Sequence, residues 1–174
     1  MNLWLRLLRI RATWRRRSTV EIWGEARTPF RVAVTDLDPY RHMNNGRYLT
    51  LLDLGRLDLM LRSGIAAELG RRGWYPVVAG QTITYRRSLT LGQRFEIRTR
   101  IVGLDERWIY LQQDVVSGDV VHASAVIRAR FLKRTGGSVS HDELAAVVGE
   151  PPGRLEVPAW MTEWSSATRI PTDR

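Results

Sequence analysis

The sequence predicts an α+β fold in which one long central helix is wrapped by an antiparallel β-sheet. Three observations carry that expectation. One stretch, residues 45–61, repeats apolar residues at three- and four-residue spacing; later segments alternate with period two; and the turns between consecutive alternating segments are too short to hold crossover helices. At 174 residues, 44% hydrophobic and 26% charged, the chain is long enough for one substantial core and short for two.

The first seventeen residues, MNLWLRLLRIRATWRRR, interleave apolar residues with arginines. No unbroken apolar stretch approaches a signal-peptide core or a bilayer span, so neither is expected. On a helical wheel Leu3, Trp4, Leu7, Leu8, Ile10 and Trp14 share one side, Arg6, Arg9 and Arg16 take the other, and Arg11 and Arg15 intrude on the apolar side. Such a pattern suits an interfacial helix in peripheral membrane contact through residues 1–17. It equally suits a helix packed on its own domain or on a partner subunit.

Val20 to Val34, rich in β-branched and aromatic residues, reads as a first strand. The long helix follows from Asn45, with Tyr48, Leu51, Leu52, Gly55 and Leu59 on its apolar face and Asp58 and Arg62 expected as a solvent-side pair. Gly64, Gly70 and Gly73 are expected to break it up. Residues 77–87, QRFEIRTRI at 93–101, 108–116 and 120–131 read as strands of a meander, with turns at 104–107 and 117–119. Ser140 and Glu143 make a capping box for a short last helix, SHDELAAVVG. After Gly149 the tail has prolines at 151, 152, 158 and 171 and no period; its tryptophans 160 and 164 predict that it docks and then frays. The expected organisation is a helix at 1–19, a main domain at 20–149 and a tail at 150–174.

Cysteine is absent, which excludes disulfides, thiolate metal sites and a cysteine nucleophile and fits a reducing cytoplasm. The formal charge is +9, and Lys133 is the only lysine, so the basic character is almost wholly arginine spread along the chain. That distribution reads as composition bias before it reads as a nucleic-acid footprint, and there is no recognised nucleic-acid motif or basic-aromatic platform. No nucleic-acid partner is therefore expected. Nor is there a glycine-rich phosphate loop, a zinc-ligand spacing or a Gly-x-Ser-x-Gly elbow, which argues against nucleotide hydrolysis and serine hydrolase chemistry.

The chemistry concentrates in TDLDPYRHMNNGRYLTLLDLGR at 35–56, where carboxylates, a histidine and two amides crowd a helix start. Unpaired N–H groups at such a start can hold a developing oxyanion. Aspartate before a helix and asparagine at its first position are also ordinary turn and capping residues.

This stretch, extended to TDLDPYRHMNNGRYLTLLDLGRLDL, resembles the signature of 4-hydroxybenzoyl-CoA-type acyl-CoA thioesterases: Asp-x-Asp, then His-x-Asn-Asn, a tyrosine and the helix. ITYRRSL at 83–89 is similar to the strand that follows the helix in those proteins, and the element order over 20–132 resembles their hot-dog fold. The resemblance implies hydrolysis of an acyl-CoA thioester without metal or redox cofactor, by a homodimer or homotetramer with sites at the subunit interface. Asp38, the second aspartate, is implied as nucleophile or general base and Asp36 as supporting. Asn44 is assigned to capping and Asn45 to orienting the thioester or carboxylate, with the N–H groups of Asn45 and Gly46 as oxyanion donors. His42 is a candidate for touching the chemistry, whereas His122 and His141 read as structural. Tyr48 is expected as a pocket wall, Arg86, Arg87, Arg128 and Arg130 at the pocket mouth for coenzyme A phosphates, and Leu52, Gly55, Val78 and Ile83 along the acyl tail. Asp53 is the alternative catalytic carboxylate, with an ion pair to Arg56 as its ordinary reading. Two rival functions share the fold: a non-catalytic acyl-ligand-binding module at a membrane surface, and a dehydratase or hydratase.

Overall fold

The computed structural model describes residues 3–151, 153 and 155–170. Five strands, β1 (Ala26–Arg31), β2 (Trp74–Tyr85), β3 (Arg94–Leu104), β4 (Ile109–Ser117) and β5 (Val120–Lys133), form one antiparallel sheet in the order β1-β3-β4-β5-β2. Helices α1 (Leu3–Thr13), α2 (Asn45–Arg62), α3 (Ile65–Arg72), α4 (His141–Val148) and α5 (Ala159–Ala167) pack around it. The expected α+β arrangement is present: α2 lies on the inner face, where Tyr48, Leu51, Leu52 and Leu59 meet Ile97, Leu111, Val115 and Ile127 in one apolar cluster. Each such side chain contributes roughly 1.5–3 kcal/mol when fully buried.

Gly55 sets how closely helix and sheet approach. A Cβ there would stand 2.9 Å from Ile97 Cγ2 and 3.0 Å from both Gln113 Nε2 and Thr99 Oγ1. Gln113 is fully buried beneath the helix, donating to Leu52 O at 3.0 Å and Thr99 Oγ1 at 2.9 Å while accepting from Arg56 Nη1 at 2.6 Å.

Several elements differ from the sequence expectation. The first strand starts only at Ala26, because a turn closed by Gly24 N–H to Glu21 O at 2.9 Å interrupts the β-branched run. Gly64 and Gly73, both at positive φ, break the helix as expected, but the chain between them forms a second helix, α3, with Gly70 inside it; burial of Ile65 and Leu69 and the Glu68 pairs with Arg71 and Arg72 hold it. Asp58 and Arg62 do pair, at 3.2 Å, but in the interior: Asp58 also accepts from Thr28 Oγ1 at 2.8 Å and Arg17 Nη1 at 2.6 Å. The capping box at Ser140 and Glu143 forms as read.

The tail docks through a helix that its composition did not announce. Met161 and Trp164 of α5 pack on the outer face of the sheet with Tyr110, Val126 and Trp108. Pro152, Pro171 and the expected fraying at 171–174 lie outside the described residues.

On α1 the expected apolar side is divided between the interior and solvent. Leu3, Arg6, Leu7 and Ile10 turn to the body of the protein, and Arg6, expected among the solvent-facing arginines, is buried because it meets the carboxylate of Asp36. Trp4 and Leu8 are exposed.

Candidate functional site

The loop from Val34 to Asn44 is tied at several points before α2 begins. Val34–Asp36 forms one 3-10 turn, and Leu37 bridges to Met43. Within that clasp Asp38 N–H donates to His42 O at 2.8 Å and Arg41 N–H to Asp38 O at 3.0 Å. The Asp38 side chain fixes the turn further, since its Oδ1 accepts from the N–H groups of Tyr40 at 2.9 Å and His42 at 3.1 Å. Its Oδ2 makes no hydrogen bond among the described residues. Arg41 completes the turn at φ 63°, the only non-glycine residue at positive φ among those described.

Asp36 is buried and structural. Its Oδ2 accepts from Arg6 Nη2 and, at 2.8 Å, from Ala33 N–H, while Arg47 Nε stands 3.9 Å from Oδ1. Its carbonyl accepts from Asn44 N–H at 2.8 Å, which carries the ordering of this residue to the start of α2. Sequence reading missed Arg6; its spacing from Leu3 and Ile10, three and four residues away, was the available signal.

Asn44 is the N-cap of α2, as assigned, and its Oδ1 accepts from Gly46 N–H at 2.8 Å. That bond occupies one of the two N–H groups expected to serve an oxyanion, so Asn45 N–H is the one left without a partner among the described residues. The Asn45 side chain and His42 are exposed. Tyr85, at the end of β2, donates to Asn45 O at 3.2 Å and meets Tyr48 edge-on with ring centroids 5.2 Å apart. Tyr48 is only 2% exposed, so its ring belongs to the core cluster; burial pushes its phenol above the ordinary value, with the Leu89 backbone hydrogen bond opposing. Residues 86–90 run beside the loop: Met43 N–H donates to Leu89 O at 2.8 Å and His42 bridges to Thr90. On this segment the side chains of Arg86 and Arg87 are exposed and make no ion pair among the described residues, while their N–H groups donate to His122 O.

Thus Asp38, His42, Asn45 and Gly46 share one end of α2, with Arg86 and Arg87 on the neighbouring segment. Asp53 stands apart, eight residues along the helix, or roughly 12 Å at 1.5 Å per residue. Its carboxylate is mostly exposed and paired with Arg56. Burial holds the Arg56 guanidinium below its usual range, with Asp53 opposing.

Asp53 also borders an apolar cavity of about 210 Å³ between α2 and the sheet, shared with Leu59, Met60, Val78, Leu111 and Phe131. Of the acyl-tail positions expected from sequence, Val78 lines this cavity, whereas Leu52 and Gly55 are consumed by the helix–sheet contact and Ile83 lies outside the lining. Arg128 is not at a pocket mouth, whereas Arg130 is among the residues that line the cavity. Arg128 is sandwiched between Trp108 and Trp164 at 5.1 and 5.4 Å and donates to Ser165, pinning α5, and the Arg130 guanidinium lies over Trp108 at 5.0 Å. Period-two alternation puts both on the outer face of β5.

A family model described as the thioesterase-like superfamily matches residues 32–165, from the loop before Asp38 into α5. The chain belongs to the thioesterase-like superfamily. The match takes in most of the tail but not α1 or β1. Among solved structures the chain is similar to the YbaW probable thioesterase of Escherichia coli, with TM-score 0.67, 26% identity and coverage of 72% of this chain and 97% of that one. It shares its fold with the BH1999 gentisyl-coenzyme A thioesterase at TM-score 0.62, 18% identity and coverage of 70% and 100%. This is the hot-dog fold. Protein THEM6 of Danio rerio is 44% identical over 100 residues, 58% of this chain and 50% of that protein. The thioesterase-like chain thus spans about half the length of the curated relatives it matches.

Proposed function

We propose that this thioesterase-like protein hydrolyses an acyl-CoA thioester to the free acid and coenzyme A, with Asp38 as the catalytic carboxylate. The observation that carries the reading is the state of that side chain: one oxygen is fixed by two backbone N–H groups, the other is uncommitted, and the start of α2 follows seven residues later. A carboxylate so held is aimed without being neutralised by a cationic partner. It can add to the thioester carbon, expelling the thiolate and leaving an anhydride that water opens, or it can take a proton from water as that water adds. Asn45 N–H is the donor for the developing oxyanion, and Arg86 and Arg87 meet the coenzyme A phosphates. His42 and the Asn45 side chain orient the thioester from the same loop.

The assembly that suits this reading is a homodimer formed along β2. That strand is a sheet edge twelve residues long, WYPVVAGQTITY, with no charged residue and with Tyr75, Val78 and Tyr85 exposed. An unprotected edge of that kind invites pairing with a second copy. Because Tyr85 touches the start of α2, a partner on β2 would stand beside the loop that bears Asp38.

A second reading has a specific observation behind it: Asp53, not Asp38, borders the apolar cavity. Free-thiol release from short, medium, long-chain and aromatic acyl-CoAs, measured for wild type, Asp38→Asn and Asp53→Asn, separates them. Loss of turnover in Asp38→Asn alone supports the first reading. Loss in Asp53→Asn with full activity in Asp38→Asn transfers catalysis to the helix. Absence of turnover on the whole panel, with acyl-CoA still bound, favours the non-catalytic module. Single turnover in ¹⁸O-water then establishes the anhydride route if label enters the catalytic carboxylate, the outcome when water opens the anhydride at the aspartyl carbon; opening at the acyl carbon labels the released acid, as the general-base route does.

A further inference from the structure

We propose that the outer face of α1 docks on an anionic membrane surface, with the rest of the protein holding that helix in place. The inner face is committed: Leu3, Leu7 and Ile10 pack on the core, and the buried Arg6 donates to Asp36 and, at 3.1 Å, to Arg31 O. The outer face carries Trp4, Leu5 and Leu8, which are 67%, 56% and 60% exposed, followed by exposed Arg9 and Arg11 and, in the 3-10 turn Trp14–Arg16 just beyond the helix, exposed Arg15 and Arg16. Polarity on this face therefore changes along the helix axis rather than around it.

A helix so divided suits a bilayer boundary approached at a tilt. The Trp4 end enters the level between headgroup and acyl chain, where an indole and leucines are favoured. The arginine end, about 10 Å along the axis from Trp4 to Arg11 at 1.5 Å per residue, lies among phosphates that a guanidinium binds in pairs. Arg9, Arg11 and Arg16 make no ion pair among the described residues, and residues 1–20 contain no carboxylate. That absence decides the occupant. A second copy would bring the same arginines to the contact and repel, whereas anionic lipid supplies the missing charge together with an apolar layer for Trp4, Leu5 and Leu8. No described helix is long and apolar enough to cross a membrane, so the contact is peripheral.

The docked helix would also fix the orientation of the loop. Arg6 leads directly to Asp36, two residues before Asp38, so the face beside α1 would stand at the lipid boundary.

The test is co-sedimentation of the full chain with vesicles of phosphatidylcholine alone and of phosphatidylcholine with phosphatidylglycerol, at low and high salt. The expected result is binding at least about tenfold stronger to the anionic vesicles, weakened by salt and abolished in a Trp4→Ala, Leu5→Ala, Leu8→Ala variant that keeps the wild-type circular dichroism melt. An Arg9→Gln, Arg11→Gln, Arg16→Gln variant is expected to lose the preference for phosphatidylglycerol. Wild type that stays in the supernatant with both vesicles, or sediments equally with both, overturns the proposal. So does a triple-alanine variant that binds like wild type, or one whose only change is loss of self-association by light scattering.

Discussion

Arg6 of α1 donates through Nη2 to Oδ2 of Asp36, and both side chains are 2% exposed. This pair joins a helix outside the matched family region to the first aspartate of the Asp-x-Asp signature. Two charges this far from water persist only because each has the other and further hydrogen bonds, here Arg31 O and Ala33 N–H. Replacing Arg6 with methionine keeps the packing volume and strands a buried carboxylate. The expected cost is about 3–5 kcal/mol of unfolding free energy in urea, with Asp36→Asn in the same chain recovering part of it. A loss below about 1 kcal/mol in Arg6→Met would mean that the pair does not hold the loop.

Backbone strain in the same loop gives a prediction of opposite sign. Arg41 sits at φ 63°, where a side chain costs roughly 1–2 kcal/mol and glycine costs almost nothing. Its N–H donates to Asp38 O, so the conformation belongs to the turn that presents Asp38. Arg41→Gly is expected to raise stability by about 0.5–1 kcal/mol after the entropy of the added glycine, or roughly 2–4 °C per kcal/mol in melting temperature for a chain of this size. Arg41→Val is expected to lower it. If both variants melt with wild type, the turn does not depend on the left-handed residue.

The features legible in sequence were those with a local signal. Period two across 94–101, three- and four-residue spacing from Tyr48 to Leu59 and the Ser140 capping box all encode their structure within a few residues. Asn44 as N-cap and the Asp53–Arg56 pair were local in the same sense. What was not legible depended on partners distant in sequence. Arg6 looks like a surface arginine until Asp36, thirty residues on, is folded against it. Arg128 looks like a candidate phosphate ligand until Trp164 arrives from the tail to cover it. Asp58 reads as solvent-exposed because a helical wheel does not show that β1 passes over it with Thr28. In each case a polar residue was placed outside by its type and drawn inside by one complementary group.

Gly55 tests how much the inner face depends on close approach. Alanine there gains about 0.8–1 kcal/mol in helix propensity. Against this, a Cβ would meet the stiff Cγ2 of Ile97 at 2.9 Å and press on Gln113, whose amide bonds Leu52 O and Thr99 and whose oxygen receives Arg56. Overpacking of this kind costs roughly 1–3 kcal/mol, so the net expectation for Gly55→Ala is destabilisation by up to about 2 kcal/mol in chemical unfolding. A stabilised variant would show that the sheet yields without loss, and that the contact is not a constraint on α2.

Alkaline pH should expose the burial of Tyr48 directly. Desolvation raises its phenol above the usual value near 10, and the same cause raises Tyr85 and Tyr110. The unfolded chain then releases its phenolic protons at lower pH than the folded one. Between the unfolded and folded values the native state holds more protons, so unfolding free energy falls as pH rises. The contribution of Tyr48 is fully present below about pH 10 and is lost as pH climbs through the raised value, at no more than about 1.4 kcal/mol per pH unit for one proton. Tyr48→Phe removes that titration, and its unfolding free energy is expected to fall less steeply above about pH 10 than that of wild type. Parallel curves for the two proteins across that range would mean that the Tyr48 hydroxyl ionises as freely in the fold as in the unfolded chain.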